Sequence, residues 1–137
     1  MRLNFALIAQ SVNIAEDGKV EIYNPITELS ASAVPAVHSE AAVVINFLTG
    51  DTNEHDLGIK IIGSYNKDCI CPYATKTKPA KSVNEPTGHV VYLREIVLEE
   101  EGDYRVEVYV DKKLLATVPF SFRIVRVSCP DGLCERR

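Results

Sequence analysis

The sequence predicts an all-β protein, an antiparallel β-sandwich of about seven to eight strands with immunoglobulin-like connections. Two observations carry this prediction. Apolar and polar residues alternate along most of the chain, and β-branched residues are frequent, as is typical of half-buried strands. No segment of about ten residues shows the apolar spacing of a helix. Short strands separated by turn residues therefore have to close on one another as two packed sheets.

Length and charge narrow the classes of protein further. The 137 residues suit one domain, which we place at 1–128 with a C-terminal tail at 129–137. A net charge of −4 argues against nucleic acid as a partner, because phosphate binding needs a basic face. The apolar start is interrupted by Asn4 and Gln10, which predicts a strand and not a signal peptide. With no membrane span of ~20 apolar residues, we expect a cytoplasmic protein whose cysteines are reduced.

The first two strands form a predicted hairpin. Alternate apolar residues place one face of the first strand together: Leu3, Phe5, Leu7 and Ala9. Asp17 and Gly18 form the turn, since glycine tolerates the positive φ of a tight reversal. The second strand carries Val20 and Ile22.

The middle of the chain predicts two more strands and a long loop. Residues 24–40 read as a connection between sheets, with weak strand character. Residues 41–48 are almost continuously apolar, which indicates a strand buried on both faces. A fourth strand is expected from Leu57 to Tyr65, followed by a 22-residue connection with few strong apolar residues.

The last strands give the strongest pattern. After a strand starting near Gly88, alternate apolar residues predict one buried face in each arm of a hairpin: Tyr104, Val106, Val108 and Val110, then Val118, Phe120, Phe122 and Ile124. Asp111, Lys112 and Lys113 turn the chain between the two arms. Pro119 indicates an edge position or a bulge, because proline cannot donate to a ladder.

The start of this hairpin also has the spacing of a tyrosine corner. Glu100, Gly102 and Tyr104 match the acidic residue, glycine and tyrosine found at that corner of immunoglobulin-like sandwiches. The tyrosine hydroxyl there bonds back to the upstream backbone. Gly102 and Tyr104 are therefore predicted structural residues. Val106 stands where antibody domains have a disulfide cysteine, so the similarity is one of architecture.

Three segments together resemble a family of short bacterial proteins of unknown function: "FALIAQ" at 5–10, "DGKVEIYNPITEL" at 17–29 and "GDYRVEVYVDKKLLATVPFSF" at 102–122. Their order and spacing carry the resemblance. It implies a cytoplasmic β-sandwich that makes up the whole chain, without an established activity, cofactor or catalytic residue. The segments that hold the cysteines are outside the pattern.

The cysteines raise the question of a metal. Cys69, Cys71, Cys129 and Cys134 make four thiolates, the number for a structural zinc, but CxC and Cx4C differ from the usual CxxC pairs. If each later strand reverses direction, the two pairs lie at opposite ends of the sandwich, ~20 Å apart. A further short strand within 72–87 would bring them to the same end. Free surface thiols, a disulfide across "CPDGLC" and a zinc or redox site all remain open.

Enzyme motifs are absent from the sequence. His38, His55 and His89 lie in or beside predicted turns, without HxH or HExxH spacing, and each is predicted to be a solvated loop histidine. There is no GxSxG or phosphate-binding glycine loop. The acidic residues from Glu99 to Asp103 lack the DxDxDG pattern of a calcium loop and read as a solvated turn. We therefore expect no catalytic residues and no cofactor, with zinc as the one alternative.

The long connection is the predicted contact loop. A connection beyond ~12–15 residues is usually functional or mobile, and this one carries exposed basic and aromatic residues: Lys67, Tyr73, Lys76, Lys78 and Lys81. The leading hypothesis is a non-enzymatic binding or scaffold module that acts through loops or an edge strand, with a protein partner or a homodimer. Small-ligand binding on a sheet face is a weaker alternative, with Tyr23, Tyr92 and Tyr109 as platforms.

Overall fold

A computed structural model describes residues 1–17, 19–63 and 73–125 of the chain. The predicted fold class, an antiparallel β-sandwich, is confirmed, since the described residues form two packed β-sheets without a helix. These residues form nine strands, more than the predicted seven to eight. The strands are β1 Arg2–Ile14, β2 Val20–Pro25, β3 Glu28–Ala31, β4 Ala36–Leu48, β5 Asp56–Ile62, β6 Tyr73–Lys76, β7 Thr87–Leu98, β8 Gly102–Val110 and β9 Lys113–Ile124. No helix long and apolar enough to cross a membrane occurs among these residues.

The two sheets have four and five strands. The first sheet has the order β2-β1-β4-β7, and the second has the order β3-β9-β8-β5-β6. The short link from β2 to β3 crosses between the sheets, so these two strands share one flank of the sandwich, and β7 and β6 share the other. Neighbouring strands are antiparallel except for β3 and β9, which run parallel.

The sandwich has two ends, a corner end and a turn end. At the corner end lie Leu98, Gly102 and the last residues of β5 and β9, because Ile62 pairs with Arg105 and Gly102 pairs with Phe122. At the turn end lie the β4–β5 loop and the β8–β9 turn, because Leu57 pairs with Val110.

The core is formed by the inward faces of both sheets. Its largest fully buried side chains come from β4, β5, β7, β8 and β9: Phe47, Phe122, Ile45, Leu57, Ile59, Ile61, Leu93, Leu98, Val43, Val91, Val106 and Val108. The alternation predicted for the last hairpin is confirmed for Tyr104, Val106, Val108 and Val110, which are all buried. Burial of side chains of this size contributes roughly 1.5–3 kcal/mol each.

The first strand differs from the prediction in one detail. The register of β1 against β4 shifts between Leu3 and Phe5. Leu3 therefore pairs with the core residue Phe47 and packs against the core, whereas Phe5 pairs with Asn46 and is 44% exposed. The prediction that Leu3 shares a face with Phe5 is wrong, because a bulge reverses the alternation.

Two connections also contain more strand than predicted. Residues 24–40 include β3 and the first part of β4, and the 22-residue connection is interrupted by β6. β6 has four residues without a clear alternation, so pairing with β5 determines its structure and local pattern does not.

Pro119 lies in β9 as the sequence indicates, without a lost ladder bond. The amide of Ser121 donates to the carbonyl of Thr27 just before β3, so the amides on this side of β9 point toward β3. At position 119 the neighbouring strand has not yet begun, since β3 pairs only from Ser121 onward. A residue without an N–H is tolerated there.

Candidate functional site

The open edge of β7 differs from the other edges of the sandwich. The remaining edge strands are short, with six residues in β2, four in β3 and four in β6. β7 has 12 residues and, in the described part of the chain, pairs only with β4. A strand edge presents unpaired N–H and C=O groups, and short edge strands are one way in which proteins limit such pairing. Among the four described strands at the ends of the sheets, β7 is the longest.

The side chains on β7 make this edge partly apolar. Tyr92 is 54% exposed and Val97 is 36% exposed. The adjacent residues Arg94 and Glu95 are exposed and carry opposite charges. Glu95 has a φ of 54°, which interrupts the extended backbone near the corner end. The straight part of the edge is therefore Thr87 to Arg94.

The predicted contact residues lie on the same flank where the structure describes them. Tyr73 and Lys76 are exposed on β6, and Lys78 and Lys81 lie in the connection from β6 to β7. The Lys76 ammonium is 3.1 Å from Asp56 Oδ1, and this carboxylate raises the pKa of the lysine. Lys67 lies outside the described residues. The basic residues therefore accompany two edge strands and do not form one free loop.

The four cysteines, Cys69, Cys71, Cys129 and Cys134, lie outside the described residues as well. The described residues do show where their segments start. β5 ends at Ile62 and β9 ends at Ile124, and both ends are at the corner end of the second sheet. Since β5 and β9 are both neighbours of β8, their axes are about 10 Å apart. β6 is a further short strand within 72–87, and with it the last described strand residues before the two cysteine-bearing segments, Ile62 and Ile124, lie at the same end of the sandwich.

A second group of polar residues joins three connections at the turn end. His55 Nδ1 is 2.6 Å from Asp111 Oδ2 in the β8–β9 turn, and His55 Nε2 is 2.8 Å from Asp51 Oδ1 in the β4–β5 loop. The amide of His55 donates to Thr77 Oγ1 at 3.0 Å, and the amide of Thr77 donates to the carbonyl of His55 at 2.8 Å. The side chain of His55 is only 11% exposed.

The charges in this group shift one another's titration. The hydrogen bond to Asp111, followed by the bond to Asp51, raises the pKa of His55. The hydrogen bonds from His55 in turn lower the pKa of both carboxyl groups. Asp111 also accepts the backbone amide of Asp56 at 3.0 Å. His55 is therefore a bridging residue, and the prediction of a solvated loop histidine is wrong for it.

The other two histidines are strand residues. His38 lies in β4, and its Nε2 atom is buried with no hydrogen-bond partner in the part of the chain that the structure describes. His89 lies in β7 opposite the core residue Ile45, and burial lowers its pKa, with a smaller contribution from Lys78. The sequence placed His38 outside a strand because it predicts β4 only from residue 41, whereas His89 follows the predicted start of its strand near Gly88 directly.

The acidic residues at the corner end stabilise the backbone. The Glu101 carboxylate accepts the amide of Ile124 at 2.8 Å, and Asp103 is 3.6 Å from Arg123. The hydroxyl of Tyr104 donates to the carbonyl of Glu100 at 2.6 Å. No group of three or more metal-ligating side chains is found in residues 1–17, 19–63 and 73–125.

The outer faces of the two sheets differ in polarity. On the first sheet, Phe5, Tyr23 and Tyr92 point outward and are 44%, 47% and 54% exposed. On the second sheet, Tyr109 donates to Glu107 at 2.7 Å, and Lys60 lies 5.1 Å from the centre of its ring. Tyr23 and Tyr92 thus share one exposed face, whereas Tyr109 is already engaged.

Comparison with known proteins identifies a family but no activity. The model of a family of unknown function, DUF6941, matches residues 4–123, and the chain belongs to this family. No curated protein matches the sequence. One solved structure that is similar is the Pseudomonas fluorescens alkylpurine DNA glycosylase AlkC bound to DNA containing an abasic site analog, at 11% identity and a TM-score of 0.46. The match covers 71% of this chain and 27% of the glycosylase, so the chain spans about a quarter of that protein.

Proposed function

We propose that this member of a family without an assigned activity is a non-enzymatic binding module that pairs through the open edge of β7, with a second copy of the chain as its partner. The observation that supports the proposal is the 12-residue edge strand, which is paired on one side only among the described strands. Pairing of two such edges hydrogen-bonds their free backbone groups and continues the first sheet across the interface.

The composition of the edge supports a twofold pairing. In an antiparallel pair of identical strands, each contact occurs twice, so like charges in one register would repel twice. Arg94 and Glu95 carry opposite charges side by side, and the edge therefore has no excess charge of one sign. Tyr92 provides exposed aromatic surface on the same strand. Aromatic residues are enriched at interfaces between proteins.

The observed contacts of the His55 ring do not favour a role as a general base. A general base needs a free ring nitrogen within reach of the proton that it removes. Both ring nitrogens of His55 are bonded to carboxylates in the observed arrangement, so neither is a free base in this state.

The test is a matched pair of variants studied by size-exclusion chromatography with light scattering. Tyr92→Lys introduces a charge on the β7 edge, whereas Tyr23→Lys introduces the same charge on the opposite flank, at a tyrosine of similar exposure. We expect a dimer for the wild type and for Tyr23→Lys, and a monomer for Tyr92→Lys. A wild-type chain that is monomeric at ~100 μM, or equal behaviour of the two variants, would contradict the proposal.

A second candidate function is a metal or redox response of the cysteines. It is favoured by the positions of the ends of β5 and β9, the last described strand residues before the two cysteine-bearing segments, which both lie at the corner end of the second sheet. From these ends the chain has about seven residues to reach Cys69 and about five to reach Cys129, ~3.3 Å each when extended. A common four-thiolate site is therefore within reach of the chain.

Elemental analysis with thiol counting tests this candidate. A zinc or redox site predicts bound zinc or fewer than four reactive thiols in the native protein, and the full four after denaturation with reductant and chelator. The double variant Cys69→Ser with Cys129→Ser should then lose the metal or the protection. Four freely titrating thiols and no zinc in the native wild type would exclude it.

A further inference from the structure

The side chain of His55 is held between two carboxylates that belong to different connections. Its Nδ1 atom contacts Asp111 at 2.6 Å, and its Nε2 atom contacts Asp51 at 2.8 Å. An ionised carboxylate only accepts hydrogen bonds, so both ring nitrogens have to donate. A neutral imidazole has one N–H and an imidazolium has two. The observed geometry is therefore that of the protonated ring.

We propose that His55 is a pH-operated latch, which in its protonated form ties the β4–β5 loop to the β8–β9 turn and releases Asp51 when the ring loses a proton. Loss of one proton leaves a lone pair that faces a carboxylate oxygen at hydrogen-bond distance. Two acceptors at this distance repel each other, and one of the two contacts opens. The latch is independent of the binding function proposed above.

The contact to Asp51 is the one expected to open. The bond from His55 to Asp111 is the shorter of the two, and Asp111 is also held by hydrogen bonds of its side chain and of its backbone amide. Its carboxylate accepts the amide of Asp56 at 3.0 Å, and its own amide donates to the carbonyl of Asp56 at 2.8 Å. Asp51 has its other bonds within its own loop, to Asn53 and Thr49.

The surroundings of the ring favour the protonated form. Asp51 and Asp111 act on the ring directly, and the ionisable groups that act on one another at the turn end come from the β4–β5 loop, β5, β6 and the β8–β9 hairpin: Asp51, Glu54, Asp56, Lys76, Asp111 and Lys113. Four of these are carboxylates and two are ammonium groups, so the excess charge around the ring is negative. The pKa of His55 is raised chiefly by its hydrogen bond to Asp111 and then by its hydrogen bond to Asp51, while burial of the ring acts in the opposite direction.

Backbone hydrogen bonds limit which part of the turn end is released when the contact between His55 and Asp51 opens. The two bonds between His55 and Thr77 join uncharged groups and do not change with pH. The side of the loop that contains Asp51 and Asn53 is therefore released, while the start of the β6–β7 connection stays in place. The amide of Asn53, which donates to Asp51 Oδ1 at 3.0 Å, reports on the released side.

The experiment is an NMR titration of the full chain that follows the His55 ring and the Asn53 amide between pH 5 and 9. The matched variants are Asp51→Asn, which replaces the charged acceptor at the ring by a neutral amide, and Asp56→Asn, which removes a nearby carboxylate whose oxygens do not bond to the ring. Asn can donate to a neutral ring nitrogen, so Asp51→Asn removes the need for two ring N–H groups.

We expect the ring of the wild type to titrate above ~6.5, with the Asn53 amide shifting at the same midpoint. Asp51→Asn should lower the ring midpoint and abolish the shift of that amide, whereas Asp56→Asn should lower the midpoint less and keep the shift. A wild-type midpoint at or below ~6.5, an Asn53 amide that does not follow the ring, or equal effects of the two variants would overturn the proposal.

Discussion

The two ends of the sandwich are closed by different kinds of interaction. At the corner end, the hydroxyl of Tyr104 donates to the carbonyl of Glu100, and its ring stacks on Phe120 at a centroid distance of 5.4 Å. At the turn end, His55 bridges Asp51 and Asp111. The first contact set joins neutral groups to an aromatic cluster, while the second joins charged groups that remain partly exposed.

This difference explains what each end can do. Tyr104 is 4% exposed, and neither its ring packing nor its hydrogen bond to Glu100 depends on the protonation of a histidine or a carboxyl group. The turn end depends on the charge of one imidazole ring. The tyrosine contact at the corner end is thus independent of pH, whereas the histidine contacts at the turn end respond to it.

The largest effect is expected at the corner end. Tyr104→Ala removes a buried ring that contacts Phe120 and Phe122, and we expect a loss of about 3–5 kcal/mol in the free energy of unfolding. Tyr104→Phe keeps the ring and removes the hydroxyl, which should cost about 1 kcal/mol. Chemical denaturation at constant pH measures both. Equal losses for the two variants would show that the hydrogen bond, and not the aromatic packing, dominates this end.

The corner end is also where the sequence is most informative. Alternation over about four residues in each arm identifies the buried face of β8 and β9, and the spacing of Gly102 and Tyr104 marks the turn between strands. Such patterns arise because a strand exposes alternate residues to one environment. Local sequence therefore predicts the buried faces of β8 and β9 without knowledge of the register.

The turn end could not be predicted in the same way. Asp51 and His55 are four residues apart in a loop, but Asp111 is 56 residues from His55 and reaches it only because β5 pairs with β8. For a related reason, the sequence leaves β6 as an open alternative and does not predict the bulge near Phe5, since both depend on pairing partners. Contacts between loops follow from tertiary register, which no local period encodes.

A smaller and pH-dependent effect is expected at the turn end. The folded-state pKa of His55 is raised, so its contribution to stability is complete below the unfolded value of ~6.5 and is lost as the pH rises through the folded pKa. His55→Gln should lower Tm by about 2–4 °C near pH 5.5 and by less at pH 9. Thermal unfolding of both proteins across this range measures the difference.

Tyr104→Phe serves as the control for that experiment, because its deficit in stability should be the same at both pH values. A deficit of His55→Gln that stays constant or grows with increasing pH would assign His55 a role in packing only. The two ends would then not differ in their dependence on protonation.

The smallest effect is expected for an ion pair at the same end that lacks burial. Lys76 and Asp56 are 3.1 Å apart, but their side chains are 64% and 63% exposed. Exposed pairs gain little because water and salt screen them and because two long side chains have to be ordered. Lys76→Ala should therefore leave Tm unchanged within about 1 °C at low and at moderate salt. A decrease as large as that of His55→Gln would mean that the total charge at the turn end, and not the enclosed imidazole ring, stabilises the three connections.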